Sequence, residues 1–322
     1  MSRLTTSDFH PAWWLPGAHL QTLWPTFFRR RPNLDLRRER VELADGDFLD
    51  IAWHGRGNRP LVIVIHGLEG SLHSHYAKTT LAALDRAGFD SVFMFLRGCS
   101  DEPNRPPRRY HSGATEDLAA VLSHLREIHG ISPQGAVGFS LGGNLLLKFL
   151  GEGKYAVPFR AAIAVSVPYR LLDCARRLDN GFSLIYREHL INRLHRAYHA
   201  KFTRTPSPLT VDVDSLRDFY SFDDQVTAPL HGFDGADDYY ERCSSHRYLR
   251  SVTIPTLLLH AADDPFMTPE TIPAEAELGP EMTLELSTRG GHVGFVGGPW
   301  PWKPEYWLDQ RIPQYLAARL LR

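Results

Sequence analysis

Between residues 60 and 168, short and almost wholly apolar runs alternate with segments of helical spacing, and this rhythm limits the possible folds more than any other feature. "PLVIVIHGLEG" (60–70) opens it and "HYAKTTLAALDRAG" (75–88) follows; then come "FDSVFMFLRG" (89–98) and "SGATEDLAAVLSHLREIHG" (112–130). "GAVGFS" (135–140), "LGGNLLLKFLG" (141–151) and "RAAIAVSVP" (160–168) complete it. A strand that is apolar on both faces has to be buried on both, the condition of a parallel sheet covered by helices. The alternation therefore predicts an α/β fold with a mostly parallel, doubly wound sheet. Ahead of it, "VELADGDFLDIAWHG" (41–55) reads as a hairpin turning at Asp45-Gly46. Ser112 is the expected N-cap of its helix, with Glu116 and Asp117 in the first turn favouring the helix dipole.

The rhythm stops at about Tyr169 and resumes at about Arg250 with "VTIPTLLLHAADDP" (252–265), "MTLELS" (282–287) and a C-terminal helix in "KPEYWLDQRIPQYLAARL" (303–320). The intervening residues hold only helical and mixed patterns. The expected organisation is an N-terminal segment (1–40), a core of 41–168 and 251–322, and a helical cap inserted at 169–250. Near the start, "HPAWWLPGAHLQTLWPTFFRRRP" is aromatic and basic, but Pro11, Pro16, Pro25 and Pro32 are expected to break any continuous amphipathic helix of the kind that lies on a membrane surface. That segment is expected to lie on the body through its aromatic residues, with its arginines in water.

Bulk properties narrow the function classes. A net charge of -1 supplies no electrostatic footprint for nucleic acid. Cys99, Cys174 and Cys243 are three widely spaced cysteines without a CxxC pair, which points away from a disulfide framework or a zinc site and towards a reducing compartment. Sixteen histidines form no HExxH pattern, and "HSH" (73–75) reads as an exposed loop, so no metal and no cofactor are expected. No signal-peptide pattern and no apolar run of spanning length are found, so an integral membrane segment is not expected and a cytoplasmic location is.

"GFSLGG" (138–143) places Ser140 where a strand becomes a helix, with Gly138 and Gly142 around it. On a tight turn of this kind a serine hydroxyl is exposed and the next helix aims its N-terminus at developing negative charge. Serine needs an oriented base to act as a nucleophile, and in this architecture an acid and then a histidine follow it in the chain. The acid falls in "HAADDP" (260–265) and the histidine in "STRGGHVGFVGG" (287–298), which makes Ser140, Asp264 and His292 the candidate triad. Asp263 competes with Asp264, but neighbouring strand residues face opposite ways, and Pro265 begins the turn after Asp264. The Leu141 N–H is one candidate oxyanion donor; the loop "HGLEG" (66–70) offers the Leu68 N–H as the second, with His66 in a structural role. Cys99 has no partner set around it and is not expected to be a nucleophile.

At these residues the sequence resembles the α/β-hydrolases, and more narrowly the YheT-like esterases, which are grouped with plant embryogenesis-associated proteins and animal abhydrolase-domain lipases and phospholipases. The resemblance runs over nearly the whole chain. It is carried by "HLQT" (19–22), "HGLEG", "RGCS" (97–100), "YHSGATEDL" (110–118), "GFSLGGN" (138–144), "HAADDP" and "GGHVGF" (290–295). In the insertion, "FDDQVTAPLHGF" and "DDYYERCSS" are also similar to that family. His260 departs from it, standing where asparagine is common. The resemblance implies the α/β-hydrolase fold, with its sheet and inserted helical cap. It also implies a carboxylic-ester hydrolase that uses Ser140, Asp264 and His292 on small acyl esters, lipids among them. Arg97 and Tyr110 are expected to fix the pocket loop. Acyl transfer through the same intermediate and non-catalytic ligand binding are the alternatives, and the oligomeric state is left open.

Overall fold

The computed structural model describes residues 2–321. Its centre is a nine-stranded sheet in the order β1-β9-β8-β7-β6-β4-β5-β3-β2. The strands are β1 (Leu4–Thr6), β2 (Arg37–Glu42), β3 (Phe48–His54), β4 (Leu61–Ile65), β5 (Asp90–Met94), β6 (Gly135–Phe139), β7 (Ala161–Val165), β8 (Thr256–Ala261) and β9 (Met282–Ser287). From β1 across to β5 all neighbours are parallel, while β3 joins β5 antiparallel and β2 joins β3 antiparallel. A separate antiparallel pair, β10 (Val296–Trp300) and β11 (Lys303–Tyr306), follows β9.

The alternation of strand side chains builds two cores. Leu61, Ile63 and Ile65 pack with α3 (Thr115–His129) and α4 (Leu141–Gly151), whereas Val62 and Val64 pack with α2 (Ala77–Arg86) and α10 (Leu308–Leu320). Such strands lose water on both sides, so their sequence is apolar without a break. The chain reverses its direction of travel across the sheet between β4 and β6. This switch point leaves a crevice at the carboxyl ends of the strands, where open α/β sheets take their ligands.

Between β7 and β8 the elements are helical. They include α5 (Leu171–Leu178), α6 (Ser183–Phe202), α7 (Phe219–Phe222), α8 (Ala228–His231) and α9 (Ala236–Cys243), with a π-helical turn at Asp223–Thr227. Their apolar faces form their own buried cluster, with Tyr186, Leu194, Phe219 and Tyr240 among its members. Asn144 of α4 ties these helices to the core. Its amide donates to the carbonyls of Ser112 (3.0 Å) and Cys243 (2.8 Å), and its oxygen accepts from the Ser245 N–H (2.9 Å).

Five local expectations are corrected. First, α1 (Ala18–Phe28) runs straight through Pro25, so prolines do not abolish helix here. Pro25 removes one backbone donor in the second half of an eleven-residue helix, a loss compensated by side-chain contacts to the core. Second, Arg29 is buried instead of in water, paired with Asp309 and placed 4.0 Å over the Tyr306 ring. Third, Ser112 is not a helix cap: Ala114 takes that position, and Ser112 instead exchanges hydrogen bonds with the Tyr239 hydroxyl (3.0 and 2.7 Å). Fourth, His75 is half-buried rather than in an exposed loop, its ring edge-on to Tyr76 at 5.2 Å. Fifth, Lys303–Tyr306 is strand β11, and the last helix begins only at Leu308.

Candidate active site

Ser140 joins β6 to α4 with φ 51 and ψ -120, a left-handed backbone that only tight packing maintains in a residue with a Cβ. Its N–H is bonded to the Val165 carbonyl at 2.8 Å. Both flanking glycines are sterically required. A Cβ on Gly138 would lie 2.5 Å from the Gly142 carbonyl oxygen, and one on Gly142 would lie 2.3 Å from the His66 carbonyl oxygen. The strand, turn and helix thus close on one another so tightly that the serine is pushed outward.

The Ser140 hydroxyl lies 3.0 Å from His292 Nε2, and His292 Nδ1 lies 2.8 Å from Asp264 Oδ2. Asp264 is almost wholly buried, and its second oxygen accepts the Phe266 N–H at 2.9 Å, which fixes the carboxylate plane. Asp263 faces the other way: its Oδ1 accepts the Gly291 N–H at 2.9 Å, and burial raises its pKa. It braces the backbone of the histidine loop and makes no contact with the ring. Phe266 stacks flat on His292, with centroids 4.0 Å apart and planes within 2°.

The histidine loop is held by residues remote from it in sequence. The His292 N–H donates to Thr22 Oγ1 (2.9 Å), and the Val293 N–H donates to Ser166 Oγ (3.0 Å). Gln21 makes a two-way clamp on Val296, its amide donating to that carbonyl (2.9 Å) and its oxygen accepting that N–H (2.8 Å). Thr22, Gln21, Ser166 and Phe266 are site residues that sequence reasoning missed. For Gln21 and Thr22 the only signal was "HLQT", a string whose partners lie about 270 residues away, and Ser166 and Phe266 carried none.

The loop after β4 lies against the elbow, since a Cβ on Gly67 would come 3.1 Å from Ser140 Cβ. Two N–H groups of this loop are taken by tyrosine hydroxyls: Gly67 by Tyr76 (2.9 Å) and Glu69 by Tyr110 (2.8 Å). The Leu68 N–H between them has no acceptor among the described residues, nor does the Leu141 N–H at the first position of α4. Glu69 is the anchor of the loop, accepting Tyr110 Oη (2.8 Å) and Arg109 Nη1 (2.9 Å) on its carboxylate and Arg193 of α6 on its carbonyl. Arg97 is locked separately, between Asp117 (2.5 Å) and Asp47 (2.6 Å). His66 is wholly buried; its Nδ1 contacts the Gly67 carbonyl (2.7 Å), and its Nε2 accepts the Leu96 N–H (3.0 Å). Burial lowers its pKa to about 4, so it stays neutral as a brace.

Ser140, Leu141, Leu68 and His292 open onto a cavity of about 140 Å³ whose opposite wall belongs to the helices between β7 and β8, including Leu171, Leu194, Phe222 and Val226. Asp223 also lines it, accepting Thr227 Oγ1 (2.6 Å) and Tyr240 Oη (2.8 Å), and burial raises its pKa to about 6. Burial likewise pushes the Cys99 and Cys174 thiols well up, which opposes thiolate chemistry at either. His260 is buried under the site against Tyr169, with ring centroids 5.7 Å apart.

A serine–histidine–carboxylate chain at the carboxyl ends of a parallel sheet, facing a lined cavity, is the arrangement of an α/β-hydrolase. Residues 60–299 match the family model described as alpha/beta hydrolase fold. The chain belongs to this family and is a carboxylesterase- or lipase-like hydrolase. It is 40% identical to YheT of Escherichia coli (strain K12), a protein named as an esterase, over 99% of this chain and 98% of that one. It is 31% identical to the phospholipase ABHD3 of Mus musculus, over 98% of this chain and 79% of that one. Among solved structures, the esterase Pf2001 of Pyrococcus furiosus matches with a TM-score of 0.58 at 18% identity, over 89% of this chain and 92% of that one. No helix among the described residues is long and apolar enough to cross a membrane.

Proposed function

We propose that the protein hydrolyses small acyl esters through an acyl-enzyme on Ser140, with His292 as the base and Asp264 as its orienting carboxylate. The hydrogen-bonded chain from Ser140 Oγ through His292 to Asp264, 3.0 and then 2.8 Å, carries this reading. His292 Nε2 takes the serine proton as Oγ attacks the ester carbonyl. Asp264 keeps Nδ1 protonated and stabilises the imidazolium that forms. The two free N–H groups, Leu68 and Leu141, receive the oxyanion, each such donor contributing about 3 kcal/mol to the transition state. His292 then returns the proton to the leaving alcohol, and a water molecule activated by the same ring releases the acid.

In this reading the helices of 169–250 act as a cap that shapes the acyl site, above a core of 41–168 and 251–322, with 1–40 packed on the core. A cavity of about 140 Å³ lined by Leu171, Leu194, Phe222 and Val226 suits a short apolar chain. A cavity of comparable size, ~150 Å³, takes up one benzene ring, roughly six carbon atoms. The test is hydrolysis of p-nitrophenyl esters of increasing acyl length by the wild type and Ser140→Ala. The expected result is activity that is highest on short chains and is lost in the variant. Equal turnover by the two proteins would overturn the assignment of Ser140.

A further inference from the structure

On the far edge of the sheet, Glu39 of β2 meets the last turns of α3. Its Oε1 lies 2.7 Å from His124 Nε2 and 2.6 Å from His129 Nε2, and the three ligand-capable atoms lie within 4.8 Å of one another. None of these residues belongs to the esterase site or contacts it. All three are half-buried, with side chains 16%, 19% and 24% exposed, so the group is partly shielded yet still reached by solvent. The other carboxylate oxygen is held by Trp53 Nε1 and Arg37 Nη1, both at 2.9 Å, which turns Oε1 towards the imidazoles. The Trp53 ring stands edge-on to His129 at 5.1 Å and limits its rotation.

We propose that Glu39, His124 and His129 bind a divalent transition-metal ion, with zinc the best match. Two imidazoles and one carboxylate form a donor set suited to zinc, leaving a fourth position for water. A carboxylate whose second oxygen already accepts hydrogen bonds is oriented in advance, as outer contacts do in metal sites. His129 is the last residue of α3, and the negative end of the helix dipole favours a cation there. The ion replaces the two imidazole–carboxylate hydrogen bonds by coordination, and Glu39 Oε1 moves about 0.6 Å further from each imidazole nitrogen to admit it. Such an ion would join the outer strand of the sheet to α3. The positive Arg37 guanidinium stays on the outer oxygen, 59% exposed and free to move further into solvent.

The experiment is titration of EDTA-stripped full-length protein with Zn²⁺ alone against a zinc chromophore, with thermal unfolding and esterase activity followed in parallel. One equivalent is expected to bind at micromolar or tighter affinity, and a hundredfold excess over Kd raises Tm by about 4 °C. His124→Ala and His129→Ala should each weaken binding at least about tenfold and abolish the Tm rise, with ester hydrolysis unchanged. His129→Gln keeps a donor towards Glu39 but loses the imidazole; a merely structural hydrogen bond survives that change, whereas zinc binding should not. Wild type that takes up no zinc at about 100 µM would overturn the proposal, as would variants that bind it like the wild type.

Discussion

Ser140 and His292 meet at 3.0 Å, yet they are positioned in opposite ways. The serine is placed by its immediate neighbours: β6, Gly138, Gly142 and the first turn of α4 leave it one backbone geometry. The histidine is placed from a distance, by Thr22 and Gln21 of α1, by Ser166 after β7 and by Asp263 after β8. The strand-to-helix turn at Ser140 is therefore mainly a property of a short string, while the histidine loop is a property of the whole fold. Substitutions in the two regions should fail differently, the first in folding and chemistry together, the second in chemistry with the fold intact.

The largest expected difference separates two adjacent carboxylates. Asp264→Asn should lower kcat about 10⁴-fold, because an amide at that position favours the wrong imidazole tautomer. Asp263→Asn, which retains an acceptor for the Gly291 N–H, should cost less than about tenfold. Steady-state kinetics on one short ester decides this; comparable losses in both variants would show that Asp263 does more than hold the loop.

Next in size is Thr22→Val. It removes the acceptor of the buried His292 N–H and leaves the shape of the side chain almost unchanged. An unpaired buried donor costs about 1–3 kcal/mol, so kcat should fall about ten- to a hundredfold with KM nearly constant. An unchanged kcat would mean that the loop holds its histidine without α1.

What could be read from the chain follows the same division. The alternation of buried strands with helices announced the sheet because burial on both faces imposes an apolar run. "GFSLGG" announced the elbow because the residue types it needs, Gly138, Ser140 and Gly142, stand together in the chain, although the contact that requires Gly142 is to His66. The clamp of Gln21 on Val296 could not be read, since nothing in "HLQT" names a partner 275 residues on. The same is true of β1, three residues long, whose pairing depends on β9 being there to receive it. Helix α1 was obscured by Pro25, where local propensity was overruled by contacts to the core. Arg29 read as a surface charge because Asp309 and Tyr306 are distant in sequence.

An effect confined to a narrow pH interval distinguishes the cavity wall from the core. Burial raises the Asp223 pKa from 3.8 to about 6, so the folded state holds its proton over a range in which the unfolded state has released it. A raised carboxyl pKa contributes stability below the unfolded value, and this is lost as pH rises from about 4 to about 6. Urea unfolding of wild type against Asp223→Asn should show the wild type losing roughly 2–3 kcal/mol relative to the variant across that interval. A difference that does not vary with pH would mean that Asp223 does not titrate in this window.

The most direct measurement is the intact mass of the protein after brief exposure to a fluorophosphonate, for wild type, Ser140→Ala and His292→Ala. The account predicts one covalent adduct on the wild type, mapped by peptide digestion to Ser140, none on Ser140→Ala, and labelling of His292→Ala slowed by orders of magnitude. An unlabelled wild type, or an adduct that persists in Ser140→Ala, would contradict it.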